Sequence, residues 1–293
     1  MRVLVTGGAG QVGVEVARAL EGRATVLAYD RAALDLAHPE RVAERVGRDR
    51  PDVIVNCAAY TAVDRAEGEP ELAHQVNGVA AAVLAEEARR HDAVLIHFST
   101  DYVFDGTKGS PYVEDDPPNP VSVYGATKLE GERAISASGC AHLILRTSWV
   151  YGPHGKNFML TMLKLAETRD ELRVVDDQRG APTSSAQLAR LTTQLLDLGA
   201  DTLRAKSGLY HATAAGETTW RGFAEAIFEG AARHRGASFK RPRVTPIATS
   251  EYPTPARRPA YSVLSTERLA QAFGVRIPGW REGLEEAISA LPR

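Results

Sequence analysis

From the N-terminus to about residue 150, short apolar runs rich in β-branched residues alternate with longer stretches whose apolar positions recur every three or four residues. The short runs predict strands over 2–6, 25–29, 53–56, 94–99 and 142–147, and the longer ones helices over 12–20, 39–47, 71–90 and 122–136. Strand, crossover helix and parallel strand join right-handedly, so the succession predicts an α/β fold built on a doubly wound parallel sheet. Beyond 150 the alternation weakens. Helices are expected over 157–167, 184–198, 219–229 and 266–273, and the Pro- and Arg-rich stretch 240–259 reads as extended segments and loops.

Composition narrows the class of function. A chain of 293 residues, 44% hydrophobic and 25% charged, can bury one large core and carry a smaller lobe. The 35 Lys and Arg nearly balance 37 Asp and Glu, which argues against a nucleic-acid partner. Cys57 and Cys140 are the only cysteines, too few for a disulfide framework or a thiolate metal site. No run approaches the roughly 18 to 20 apolar residues of a membrane span, and Met1 to Thr6 has no leader character, so a soluble cytoplasmic protein is expected.

The first strand runs into Gly7-Gly8-Ala9-Gly10-Gln11-Val12-Gly13, and a helical pattern follows at once. Gly7, Gly10 and Gly13 suit a tight turn with close backbone approach, while the helix N-terminus offers free N–H groups to a pyrophosphate. This context makes the sheet Rossmann-type, with a dinucleotide-binding domain over 1–150. Residues 151–293 are then mainly a smaller C-terminal substrate lobe, part of which returns to the first domain. Asp30 ends the second strand, 20 residues past Gly10, where a carboxylate suits a ribose 2′-OH. Its neighbour Arg31 suits a 2′-phosphate instead, so NADPH and NADH are both open.

Tyr124 and Lys128 are four apart in a predicted helix and share one face. A nearby ammonium favours phenolate over phenol, and the expectation is a tyrosine brought down toward working pH as a general acid. Ser99 and Thr100 end the fourth strand, beyond whose carboxyl end a ligand would sit. Strand alternation sends their hydroxyls to opposite faces, so only one can hold a substrate carbonyl oxygen, and Thr100 is favoured. Arg257 and Arg258 suit a diphosphate, and a solvated basic loop accounts for them equally well.

With these residues placed, the chain resembles the dTDP-4-dehydrorhamnose reductase family of extended short-chain dehydrogenase/reductases. Matching stretches include Gly10 to Gly13, Val53 to Asp64, Ser99-Thr100-Asp101-Tyr102-Val103-Phe104, Tyr124-Gly125-Ala126-Thr127-Lys128, Arg146 to Gly152, Gly180 to Thr183 and Tyr252 to Ala256. The resemblance implies NAD(P)H-dependent reduction of a dTDP-linked 4-keto sugar, with Thr100, Tyr124 and Lys128 catalytic. It implies a cofactor held by Gly10, Gln11, Val12, Asp30, Asp35, Leu36, Ala59, Tyr60 and Thr61, with Tyr124 and Lys128 at the nicotinamide ribose, and a sugar nucleotide touched by Thr100, Asp101 and Trp149. Some members carry Mg²⁺ at a dimer interface. Glu15 is kept here, but 184–190 lacks the further acids, so no metal and a monomer or weak homodimer are expected. A dehydratase would need a glutamate where Tyr102 stands. Another 4-keto-sugar reductase, an epimerase and a non-catalytic NADP-binding regulatory subunit are the alternatives.

Overall fold

A computed structural model of the protein describes residues 1–236 and 239–292. Strands β1 (Arg2–Thr6), β2 (Thr25–Tyr29), β3 (Val53–Asn56), β4 (Val94–Thr100) and β5 (His142–Thr147) lie parallel in the order β2-β1-β3-β4-β5. A strand from the second half of the chain, Gly208–His211, extends the sheet beyond β5. The chain leaves β1 for β2 on one side and resumes at β3 on the other. This reversal opens a crevice at the carboxyl ends of β1 and β3, where ligands of such sheets bind.

Period-two alternation decides what each face buries. Val3, Val5, Val53, Val55, Val94, Ile96, Leu143 and Leu145 point to one side, where α1 (Gln11–Ala19) packs against the helix Ser185–Asp197. Leu4, Ile54, Leu95 and Ile144 point to the other, against α2 (Pro39–Asp49) and the helix Ala80–Arg90. A parallel sheet covered on both faces explains why these strands are nearly unbroken apolar runs.

The structure departs from the periodic reading in a few places. The helix expected over 71–90 is interrupted: Pro70–His74 passes through a π-turn, Gln75–Val79, into Ala80–Arg90. The extra residue turns Asn77 inward, where its side chain accepts from the Tyr60 N–H at 2.9 Å and donates to Tyr60 O and Thr127 Oγ1, each at 3.2 Å. The helix expected over 219–229 runs from Trp220 to Arg235, because its apolar face continues through Ala231 until Gly236 turns at φ +65. Within 240–259, Arg243–Ile247 pairs in parallel with Glu171–Val175. The helices Ala200–Ala205 and Trp280–Ser289 have no counterpart in the periodic reading. Among the described residues no helix is long and apolar enough to cross a membrane.

Candidate active site

The carboxyl ends of β1, β3, β4 and β5 open into a cleft of about 570 Å³. At one end the glycine turn leaves no room for side chains. A Cβ on Gly7, which sits at φ +66, would meet Ala58 N at 2.9 Å, and one on Gly13 would lie 2.2 Å from Gly7 O. Gly13 therefore serves packing and does not line the cleft, whereas Gly7, Gly10, Gln11 and Val12 do. Helix α1 starts at Gln11 with no side-chain cap and no acid in its first turn. Unpaired N–H groups and a positive dipole end therefore face the cleft, which fits a pyrophosphate.

Arg31, Asp35 and Leu36 line the same end, but Asp30 does not. The exposed Asp30 carboxylate accepts from the Ala33 N–H at 2.9 Å and so caps the turn after β2. Arg31 pairs with Asp35, Nε to Oδ2, at 3.1 Å. Burial raises the Asp35 carboxyl, yet the Ala37 N–H and the Arg31 guanidinium outweigh it and hold the group below its ordinary value. Ala59, Tyr60 and Thr61 form the adjoining wall.

The helix Val123–Ala137 delivers Tyr124 and Lys128 to the cleft floor. Ser122 caps it by accepting from the Gly125 N–H at 3.2 Å. Glycines let it press close: a Cβ on Gly125 would lie 2.1 Å from Tyr102 O, and one on Gly131 would lie 2.2 Å from Asn77 O. Tyr124 is half-buried, with its ring edge-on to Tyr102 at 5.6 Å. Lys128, only 1% exposed, donates to Phe98 O at 2.7 Å and lies 3.0 Å from His97 Nε2.

The expected lowering of the phenol is not what this geometry produces. Burial pushes Tyr124 up to about 12, against a hydrogen bond with Thr100 that lowers it, and the Asp101 carboxyl raises it further. The lysine does not offset this, because its head is turned to the Phe98 carbonyl and to His97, and burial brings it down to about 8. The Ser99 hydroxyl is taken by Glu132 at 2.5 Å, itself clamped by Arg146 at 2.6 Å. Thr100 accepts from the Tyr102 N–H and faces Asp101, which leaves it the hydroxyl beside Tyr124.

At the other end, Asp101 is 2% exposed and its Oδ2 has no partner among the described residues. Burial pushes this carboxyl up to about 7 despite hydrogen bonds from Ser262 and Thr100. Trp149 lines the cleft in a left-handed backbone conformation, φ +47, and its ring fills the space that a Cβ on Gly180 would need. It stacks on Trp220 with centroids 3.5 Å apart and planes 4° from parallel. Arg257 is exposed and outside the cleft lining, while Arg258 is bound to Asp64 at 2.8 Å. Glu15 contacts Arg18 and His154, and among the described residues no group of three or more His, Cys, Asp or Glu gathers as a metal site.

Sequence reasoning did not single out Trp220, Lys156 or His97. Trp220 and Lys156 come from the second half of the chain and meet the cleft only through tertiary packing. His97 left one faint signal, a polar residue inside an apolar strand.

The family description "RmlD substrate binding domain" matches residues 1–292. The chain is 49% identical to the dTDP-4-dehydrorhamnose reductase of Burkholderia thailandensis over 288 residues, 96% of each chain. It is similar to the crystal structure of a dTDP-4-dehydrorhamnose reductase from Clostridium acetobutylicum, with a TM-score of 0.90, 39% identity and 98% of both chains covered. It is also similar to the dTDP-4-dehydrorhamnose reductase of Bacillus anthracis in complex with NADP, with a TM-score of 0.89, 36% identity and 98% of both chains covered.

Proposed function

This chain belongs to the dTDP-4-dehydrorhamnose reductase family, and from that premise we propose that it uses NADPH or NADH to reduce the 4-keto group of dTDP-6-deoxy-L-lyxo-4-hexulose, giving dTDP-L-rhamnose. The observation that carries the chemistry is the meeting of Thr100, Tyr124 and Lys128 in the cleft that also receives the uncapped N-terminus of α1. The dihydronicotinamide, when bound, supplies hydride to the ketone carbon. Thr100 holds the ketone oxygen, and Tyr124 gives it a proton as the carbon–oxygen double bond becomes a single bond. A phenol at about 12 is fully protonated at neutral pH, so the acid is always loaded. Lys128, one helical turn on from Tyr124 in the same cleft, hydrogen-bonds the nicotinamide ribose.

Arg31 and Asp35 border the adenosine end, Arg31 suiting a 2′-phosphate. The buried Asp101 and the Trp149 ring border the sugar. The reading keeps a cytoplasmic setting and a monomer or weak homodimer. It is tested by following loss of reduced-nicotinamide absorbance with the 4-keto sugar nucleotide. Tyr124→Phe should lower kcat by about 10²- to 10⁴-fold with the fold intact. Full activity in that variant would remove Tyr124 from the chemistry, and inactivity of the wild type with this sugar would remove the substrate.

A further inference from the structure

Strands β1, β3 and β4 each place a buried polar side chain next to apolar neighbours, and the register lines up one from each. Thr6 lies beside Asn56, and Asn56 beside His97. All three are buried. Thr6 Oγ1 accepts from the Ala58 N–H at 3.2 Å and donates to Asn56 Oδ1 at 2.5 Å. The Asn56 amide nitrogen then faces His97 Nδ1 at 2.9 Å, which makes Nδ1 the acceptor. A neutral imidazole that accepts at Nδ1 carries its proton on Nε2, and Nε2 lies 3.0 Å from Lys128 Nζ. An ammonium has only donors, whereas the free amine has a lone pair. The amine accepts the imidazole N–H and keeps a hydrogen for Phe98 O at 2.7 Å.

We propose that Thr6, Asn56 and His97 form a directional hydrogen-bond chain that ends on Lys128 Nζ and favours its amine over its ammonium. His97 is a positioning residue, acting only through Lys128, and the inference rests on the reduction proposed above.

The groups acting on this lysine are Glu132 on its own helix, His97 on β4, and behind Glu132 the Arg146 of β5 and Ser99 of β4. His142 of β5 acts on His97 at longer range. Burial lowers the lysine to about 8, with Glu132 opposing. Burial, and then the lysine charge, hold His97 well below its ordinary value, so the imidazole stays neutral and the chain keeps its direction.

The alkaline limb of kcat/KM tests this. Tyr124, at about 12, does not titrate near neutrality, so activity should fall as pH rises through the lysine value of about 8. His97→Leu keeps the site apolar but removes the N–H, and the limb should move up by about one pH unit. His97→Gln retains a donor and an acceptor, and should leave the limb near its wild-type position. A limb that stays in place or moves down in folded His97→Leu protein overturns the proposal. A second readout needs neither turnover nor a folded Leu variant: ¹⁵N spectra of histidine-labelled wild-type protein, with His97 assigned through His97→Gln. A proton on Nε2 and a bare Nδ1 are expected at neutral pH, and the opposite tautomer overturns the chain. An Nε2–H tautomer in a protein that does not reduce the 4-keto sugar would retire the reaction and leave the chain standing.

Discussion

A carboxyl enclosed at 2% exposure, with one oxygen lacking a partner among the described residues, is a cost the fold carries at the Trp149 end of the cleft. Asp101 binds its proton more tightly folded than unfolded, with a value raised from 3.8 to about 7. The sign follows from linkage: wild-type stability is greatest when the group is protonated in both states, and it declines as pH climbs from the unfolded to the folded value. Complete expression of that interval in folding corresponds to roughly 4 kcal/mol. Asp101→Asn should therefore gain little over wild type near the acid end of the interval and a few kcal/mol above it, read as Tm at two pH values. An equal offset at both would mean that the carboxyl is solvated in the native state. Asp101 was legible only through its place after Thr100, since one of its hydrogen bonds comes from a residue as distant as Ser262. Tyr124 and Lys128 were legible from spacing alone. The direction of the lysine head was not, because His97 and Phe98 lie on a strand some thirty positions away.

At the scale of elements, the helix Val123–Ala137 owes its position to missing side chains. An alanine in place of a helical glycine ordinarily stabilises by about 1 kcal/mol. At Gly47 in α2, where a Cβ would meet nothing closer than His91 at 3.7 Å, that rule should hold. At Gly125 the new Cβ would lie 2.1 Å from Tyr102 O, and either the helix or the turn after β4 must shift. Gly125→Ala should destabilise by about 1–3 kcal/mol and also lower kcat, because Tyr124 moves relative to Thr100. Denaturant unfolding of both variants checks this, and a stabilised Gly125→Ala would mean that the helix is not pressed against that carbonyl. Periodicity placed this helix to within a residue at each end, since its apolar face and Ser122 cap are local. The π-turn at Gln75–Val79 was not visible, because a one-residue bulge barely disturbs an apolar repeat, and what fixes it is Asn77 reaching Tyr60 and Thr127.

At the scale of the molecule, the second half of the chain closes on the first at identifiable points. Gly208–His211 completes the sheet, and Trp220 reaches Trp149. Arg258 forks onto Asp64 with nitrogen–oxygen distances of 3.0 and 2.8 Å, while Ala256 N–H donates to the same carboxylate at 3.3 Å. Neither 3.6- nor 2-residue periodicity encodes pairings this distant, which is why Arg257 and Arg258 looked interchangeable in the sequence. The geometry separates them: Arg258 fastens the loop beginning at Thr254 to the short helix Val63–Ala66, next to the Tyr60 and Thr61 wall. The pairing with Arg258 holds the Asp64 carboxyl below its ordinary value, so this tie persists into mild acid. Both partners are partly exposed, at 22% and 39%, and the pair should add only about 1 kcal/mol to global stability. The short helix it holds begins at Val63, which lines the cleft. Asp64→Ala should raise the KM for the sugar nucleotide severalfold, with a small change in kcat and in Tm, because the cleft wall at Val63 would lose its tie to the Thr254 loop. Steady-state kinetics with sugar and cofactor varied separately distinguishes this outcome from general loosening, which would weaken NADPH binding and kcat together.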